Sequence, residues 1–151
     1  MYDTILIPTD GSDVAENAID HAIDLARRYD ATLHALYVVD TDAIDISLGT
    51  EQVDRIKEGR FGEMTELHDR AKAATSTVAE RAGDDLEVTQ SIEAGQPHRV
   101  ISDYAADNDV DLVVMGSAGR GGVRRAILGS VAERTLRTTR VPVLVVDIHD
   151  D

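Results

Sequence analysis

The chain reads as an α/β protein in which one parallel, doubly wound sheet carries helices on both faces. Three observations predict this. Strand-like and helix-like patterns alternate along the whole length, an order that requires right-handed crossovers between parallel strands. Apolar residues make up 42% of the chain, yet only one Phe, four Tyr and no Trp contribute. The core is therefore built from Val, Ile, Leu and Ala, which suits strands covered on both faces. The length of 151 residues fits one hydrophobic core of ordinary size, so residues 1–151 are expected to form a single domain.

Residues 3–8 are the expected first strand. Asp13 followed by Glu16 resembles a capping box, and Ala15, Ala18, Ile19, Ala22, Ile23, Ala26 and Tyr29 follow at helical spacing. Residues 31–39 read as a second strand and residues 40–58 as an acidic connection. Phe61, Met64, Leu67, His68, Ala71, Thr75, Val78 and Ala82 mark a second helix ended near Gly83, and residues 86–93 a third strand. Gly95 reads as a turn glycine. Gln96-Pro97 looks like an N-cap with proline at the first helical position, and Val100, Ile101, Tyr104 and Ala105 supply the buried face of a third helix. Residues 112–115 form a fourth strand. Residues 129–138 form a fourth helix with Val131, Thr135 and Leu136 along one side, and residues 142–146 a fifth strand.

The fourth strand runs without a break into Gly116, which opens a spaced set of small residues at Gly116, Gly119, Gly129 and Ser130. Gly116 and Gly119 can adopt positive φ and lack a Cβ, so a ligand can approach their backbone closely. Gly129-Ser130 begins a helix, whose free N–H groups and positive dipole end favour an anion. Ser130 adds a hydroxyl, as helix cap or phosphate donor. The combination points to a nucleotide site. Between Gly116 and Arg140, six arginines stand against the single acid Glu133, a formal +5 in a chain whose remainder carries −19. That asymmetry suits a polyphosphate, although Arg134 and Arg137 equally suit the C-terminal half of the last helix.

The string Gly-x2-Gly-x9-Gly-Ser resembles the nucleotide-binding motif of the universal stress protein family, in its ATP-binding branch. Ile5-Leu6-Ile7-Pro8-Thr9-Asp10-Gly11-Ser12 is similar to that family's first strand and loop, and Val141-Pro142-Val143-Leu144-Val145-Val146 to its last strand. The resemblance covers essentially the whole chain. Many relatives carry histidine where this chain has Ala118, which removes a polar contact but leaves the glycine geometry. The resemblance implies a five-stranded sheet of order 3-2-1-4-5, adenine nucleotide alpha hydrolase-like, whose switch point lies between the first and fourth strands. Ligands of such sheets bind there, at the carboxyl ends.

Pro8, Thr9 and Asp10 leave the first strand on that edge, Val38 the second, and Met115 and Gly116 the fourth. By resemblance these are adenosine contacts: Asp10 accepts from ribose hydroxyls, Val38 offers its backbone to the adenine edge, and Met115 packs nearby. Gly119, Gly129, Ser130 and Val131 then hold the phosphates. Each residue has a plainer role open to it, since Asp10 can cap a turn, Val38 can be an ordinary strand residue and Met115 can fill a core gap. The implied ligand is ATP, and a Mg²⁺ ion that bridges its phosphates needs only one or two protein oxygens besides phosphates and waters. The resemblance also implies a homodimer through residues 141–146, an apolar edge strand in which Pro142 limits the pairing.

Composition narrows the remaining classes. There are 29 acidic residues against 15 basic ones, a net charge of −14, and 13 of the basic residues are Arg. A lysine-poor acidic surface suits a high-salt cytoplasm, though an ordinary acidic cytoplasmic protein shares it. Nucleic acid is not an expected partner, for backbone binding needs a clustered positive face. Cysteine is absent, which excludes disulfides and thiol chemistry and fits the cytoplasm. No apolar run approaches the ~20 residues that span a bilayer, and Asp3 beside Tyr2 does not suit a signal peptide. The five histidines show no metal-ligand spacing, and no P-loop or nucleophile-elbow string occurs. The expected function is thus an ATP-binding regulatory or stress-response protein with at most slow hydrolysis and no assigned catalytic residue. The alternative is an ATP- or AMP-dependent enzyme of related fold. A flavodoxin-like signalling receiver lacks its acidic pair and its lysine here.

Overall fold

The computed structural model describes residues 2–11, 13–41, 63–117 and 129–147. The acidic connection beyond Thr41, the side chains of Asp13, Met64 and Leu67, Phe61, Ala118, Gly119, Arg120, Arg124 and Arg125 lie outside the described residues. The elements are β1 (Thr4–Pro8), α1 (Asp13–Tyr29), β2 (Thr32–Asp40), α2 (Glu63–Ala82), β3 (Val88–Gly95), α3 (Pro97–Asp107), β4 (Leu112–Gly116), α4 (Ser130–Thr138) and β5 (Val143–Val146). All strand pairs are parallel and the order is β3-β2-β1-β4-β5, as the alternation and the resemblance predict.

Strict alternation along the central strands divides the core into two layers. Ile5, Ile7, Leu33, Ala35, Leu112 and Val114 meet α1 and α2, while Leu6, Leu36, Val113 and Met115 meet Ile101, Tyr104 and Ala105 of α3 and Ala132 of α4. Ile5, Leu6, Ile7, Leu33 and Leu36 are fully buried, each contributing about 1.5–3 kcal/mol relative to an exposed side chain. Alanines at 18, 22 and 26 give α1 a flat, fully buried stripe that lets it lie close to the sheet. The Asp111 carboxylate staples the amino ends of the central strands, accepting from the N–H groups of Asp3 at 2.8 Å and Thr4 at 3.0 Å. Among the described residues, no helix is long and apolar enough to cross a membrane.

Some boundaries move for identifiable reasons. Gly83 ends α2 at φ +75, its N–H donating to the Ala79 carbonyl. Strand β3 begins at Val88 and not at residue 86, because pairing starts where Leu33 donates to the Glu87 carbonyl, and it follows β2 to its end. Gly95 is therefore the last residue of a strand, paired with Asp40, and not a simple turn. It has φ +152, and a Cβ there would stand 2.7 Å from the Val100 side chain of α3. Gln96 and Pro97 open α3 as expected, although no side-chain hydrogen bond caps it.

The side of α4 that carries Val131, Thr135 and Leu136 is only partly buried. Ala132 and Thr135 point inward, while Val131 and Leu136 are 36% and 43% exposed. The helix docks on its small side chains, so the larger ones are turned away from the sheet. Thr135 is fully buried, and its hydroxyl has no hydrogen-bond partner among the described residues.

Candidate functional site at the carboxyl ends of β1, β2 and β4

Strands β1 and β4 pair at Ile5 with Leu112 and at Leu6 with Val113, whereas β4 keeps its register with β5 as far as Gly116. The central sheet therefore parts between Ile7-Pro8 and Val114-Met115-Gly116. Pro8 contributes to this, since it has no N–H to offer a ladder. Beyond it the chain turns toward β2, where Thr9 donates its N–H to the Leu36 carbonyl at 2.9 Å. The gap is the crevice expected of a switch point.

Around the crevice the structure brings together Pro8, Thr9, Asp10, Val38, Met115, Gly116, Gly129, Ser130 and Val131. Gly119 lies outside the described residues. Thr9 is buried, its Oγ1 accepting the Gly11 N–H at 3.3 Å, which shapes the turn that carries Asp10. Gly11 takes φ +80. Positive φ thus falls on Gly11 and not on Gly116, which ends β4 in pairing with Val146. Val38 is half-buried against the layer that holds Met115. Met115 is only 4% exposed, so its side chain is part of the core floor beneath the crevice.

Across the gap stands the start of α4. Gly129 is its N-cap, with φ −65 and ψ 159, and no side-chain hydrogen bond caps the helix. Ser130 is consequently the first helical residue and exposed, not the cap, because Gly129 already occupies the extended position where a cap residue sits. Its N–H and those of Val131 and Ala132 belong to the first turn, which has no carbonyl behind it to bond. With the helix dipole they form a docking point for an anion. Gly129 has no Cβ to obstruct the approach. The residues present thus fit a phosphate group.

Three positions at this edge escaped sequence reasoning. Ser117 is buried at the end of β4, its hydroxyl donating to Asp147 Oδ1 at 2.7 Å across 30 residues. That pairing depends on the register of β4 with β5, for which no local pattern exists. The third is Arg70 of α2, which lines a cavity of about 190 Å³ together with Thr9, Asp10, Gly11, Ile19 and Thr77. Ligand pockets hold roughly 300–1,000 Å³, so this space is an annex beside Asp10 and not a nucleotide site in itself. Among the described residues no group of three His, Cys, Asp or Glu side chains is placed to hold a metal ion.

Comparison with known proteins places this geometry in a family. The profile of the universal stress protein family matches residues 1–147. Universal stress protein MJ0531 of Methanocaldococcus jannaschii is 36% identical over 148 residues, covering 97% of this chain and 82% of that protein. The solved structure of the hypothetical protein MJ0577, from the same organism, superposes with a TM-score of 0.83 at 30% identity, covering 100% of this chain and 99% of the other. A universal stress protein from Archaeoglobus fulgidus, solved in complex with dAMP, shares the fold with a TM-score of 0.65 at 21% identity, over 96% and 98% of the two chains.

Proposed function

The chain belongs to the universal stress protein family, and from that premise we propose that it is an ATP-binding regulatory protein of the cytoplasm. The observation that carries this reading is the parting of β1 from β4 opposite the uncapped start of α4. The dAMP complex of the Archaeoglobus fulgidus relative supports an adenine nucleotide as the ligand class. In this reading Pro8, Thr9 and Asp10 border the nucleoside, with Asp10 accepting from ribose hydroxyls. The Val38 backbone meets the adenine edge, and Met115 and Gly116 form the floor. Gly119, Gly129, Ser130 and Val131 take the phosphates through backbone N–H groups. Mg²⁺, where present, is held by phosphate oxygens and water.

No residue of this set is a general base for in-line attack, so occupancy, not turnover, is the proposed signal. Residues 1–151 act as one domain in this account. Two copies meet through residues 141–146, for β5 is a sheet edge with Leu144 37% exposed. The acidic, lysine-poor composition points to a salty cytoplasm. Calorimetric titration with ATP and AMP, with phosphate release followed in parallel, tests the reading. Saturable ATP binding with slow release is the expected result. Rapid release would favour an ATP-dependent enzyme, and no binding of either nucleotide would overturn both.

A further inference from the structure

Each polar group of Ser117 has its own partner. Its N–H donates to the Val146 carbonyl of β5 at 2.9 Å, and its carbonyl accepts the N–H of Gly129, the N-cap of α4, at 2.6 Å. Its hydroxyl donates to Asp147 Oδ1 at 2.7 Å. Asp147 in turn is held from α1, where Asn17 Nδ2 donates to its carbonyl at 2.9 Å. Ser117 is only 6% exposed, so water cannot readily replace the carboxylate, and a hydrogen bond to an ionised acceptor is stronger than a neutral one. The Ser117 carbonyl sets where Gly129 lies, and Gly129 sets where the first-turn N–H groups of α4 point.

We propose that Asp147 is a positioning residue for the phosphate side of the site. Through Ser117 it fixes the start of α4 relative to β4, without touching the nucleotide itself. The inference rests on the ATP-binding reading above. It predicts a split that a general loss of stability would not produce: phosphate contacts weaken while adenosine contacts, carried by β1 and β2, persist. It also separates geometry from charge, since asparagine keeps the Oδ1 acceptor and removes the negative charge.

The test is calorimetric titration of wild type, Asp147→Ala, Asp147→Asn and Ser117→Ala with ATP and with AMP. The alanine variants should each lose roughly tenfold in ATP affinity, the effect of one hydrogen bond to a charged group. AMP affinity should fall much less, and Asp147→Asn should bind ATP close to wild type. Ser117→Ala reports on the same contact from the other side should Asp147→Ala fail to fold. Wild-type ATP affinity in Asp147→Ala, equal losses for ATP and AMP, or an asparagine variant as weak as the alanine one would each overturn the proposal. A wild type that binds neither nucleotide overturns the underlying reading instead.

Discussion

Asp10 carries the most specific assignment of any single residue, because the turn that presents it is fixed from both sides. Thr9 anchors the backbone to Leu36, and Gly11 takes the left-handed conformation that an L side chain resists. Asp10→Ala should weaken ATP and AMP binding alike, by about 1.5–3 kcal/mol for a lost hydrogen bond to a charged group. Titration of the variant with both ligands checks it, and a loss confined to ATP would move Asp10 to the phosphates. A second residue-scale prediction concerns His34. Its Nδ1 lies 2.7 Å from the Tyr104 hydroxyl, which lies 3.0 Å from Ser91 Oγ, so the ring ends a short hydrogen-bonded chain. Burial lowers its pKa below 6.5, with Glu87 opposing the shift. Well above 6.5 the ring is neutral in both states. As the pH falls below that value the unfolded chain takes up the proton first, so stability declines until the folded ring titrates as well. Denaturation at about pH 7.5 and about pH 5.5 should show wild type losing more stability than His34→Gln; equal losses would remove His34 from the account.

Among the elements, α4 shows where sequence patterns stop being informative. Val131, Thr135 and Leu136 share a side at helical spacing, the side that a hydrophobic pattern marks. The helix instead buries Ala132 and Thr135 and leaves the larger residues outward. Hydrophobicity cannot distinguish a face turned to the protein's own core from one turned elsewhere, and nine residues give the periodicity little length to decide it. The 17-residue α1, with seven apolar positions at helical spacing, was legible from its length, and the five-residue strands β1 and β4 from their unbroken apolar runs. Gly95 was recognised as special but for the wrong reason, since the side chain that excludes a Cβ there, Val100, belongs to the next helix. The buried Thr135 hydroxyl has no partner among the described residues, and an unsatisfied buried polar group costs about 1–3 kcal/mol. Thr135→Val keeps the shape and removes the hydroxyl, so it should raise stability by about 1 kcal/mol in chemical denaturation. A destabilised variant would mean that the hydroxyl is satisfied in solution.

At the scale of the whole molecule, alternation and apolar runs made the sheet legible, while the resemblance supplied its strand order and the set of site residues. The switch point between the first and fourth strands came with that order; what neither disclosed was the Ser117–Asp147 contact, which depends on the register of β4 with β5, and the annex beside Arg70, which depends on how α1 and α2 pack. The proposed dimer is a claim at this scale too. Val143→Asp with Val145→Asp should yield monomers by light scattering in high salt, because charges along a shared edge would be brought together and buried. A wild type already monomeric at micromolar concentration would contradict it. The central claim is that the start of α4 receives the phosphates of a nucleotide, and Gly129→Val tests it most directly. At φ −65 and ψ 159 the backbone accepts valine without strain, so the variant should fold while its Cβ and methyl groups obstruct the approach to the first-turn N–H groups. Calorimetric titration with ATP should show a loss of more than roughly tenfold relative to wild type. Wild-type affinity in a folded variant would contradict the account.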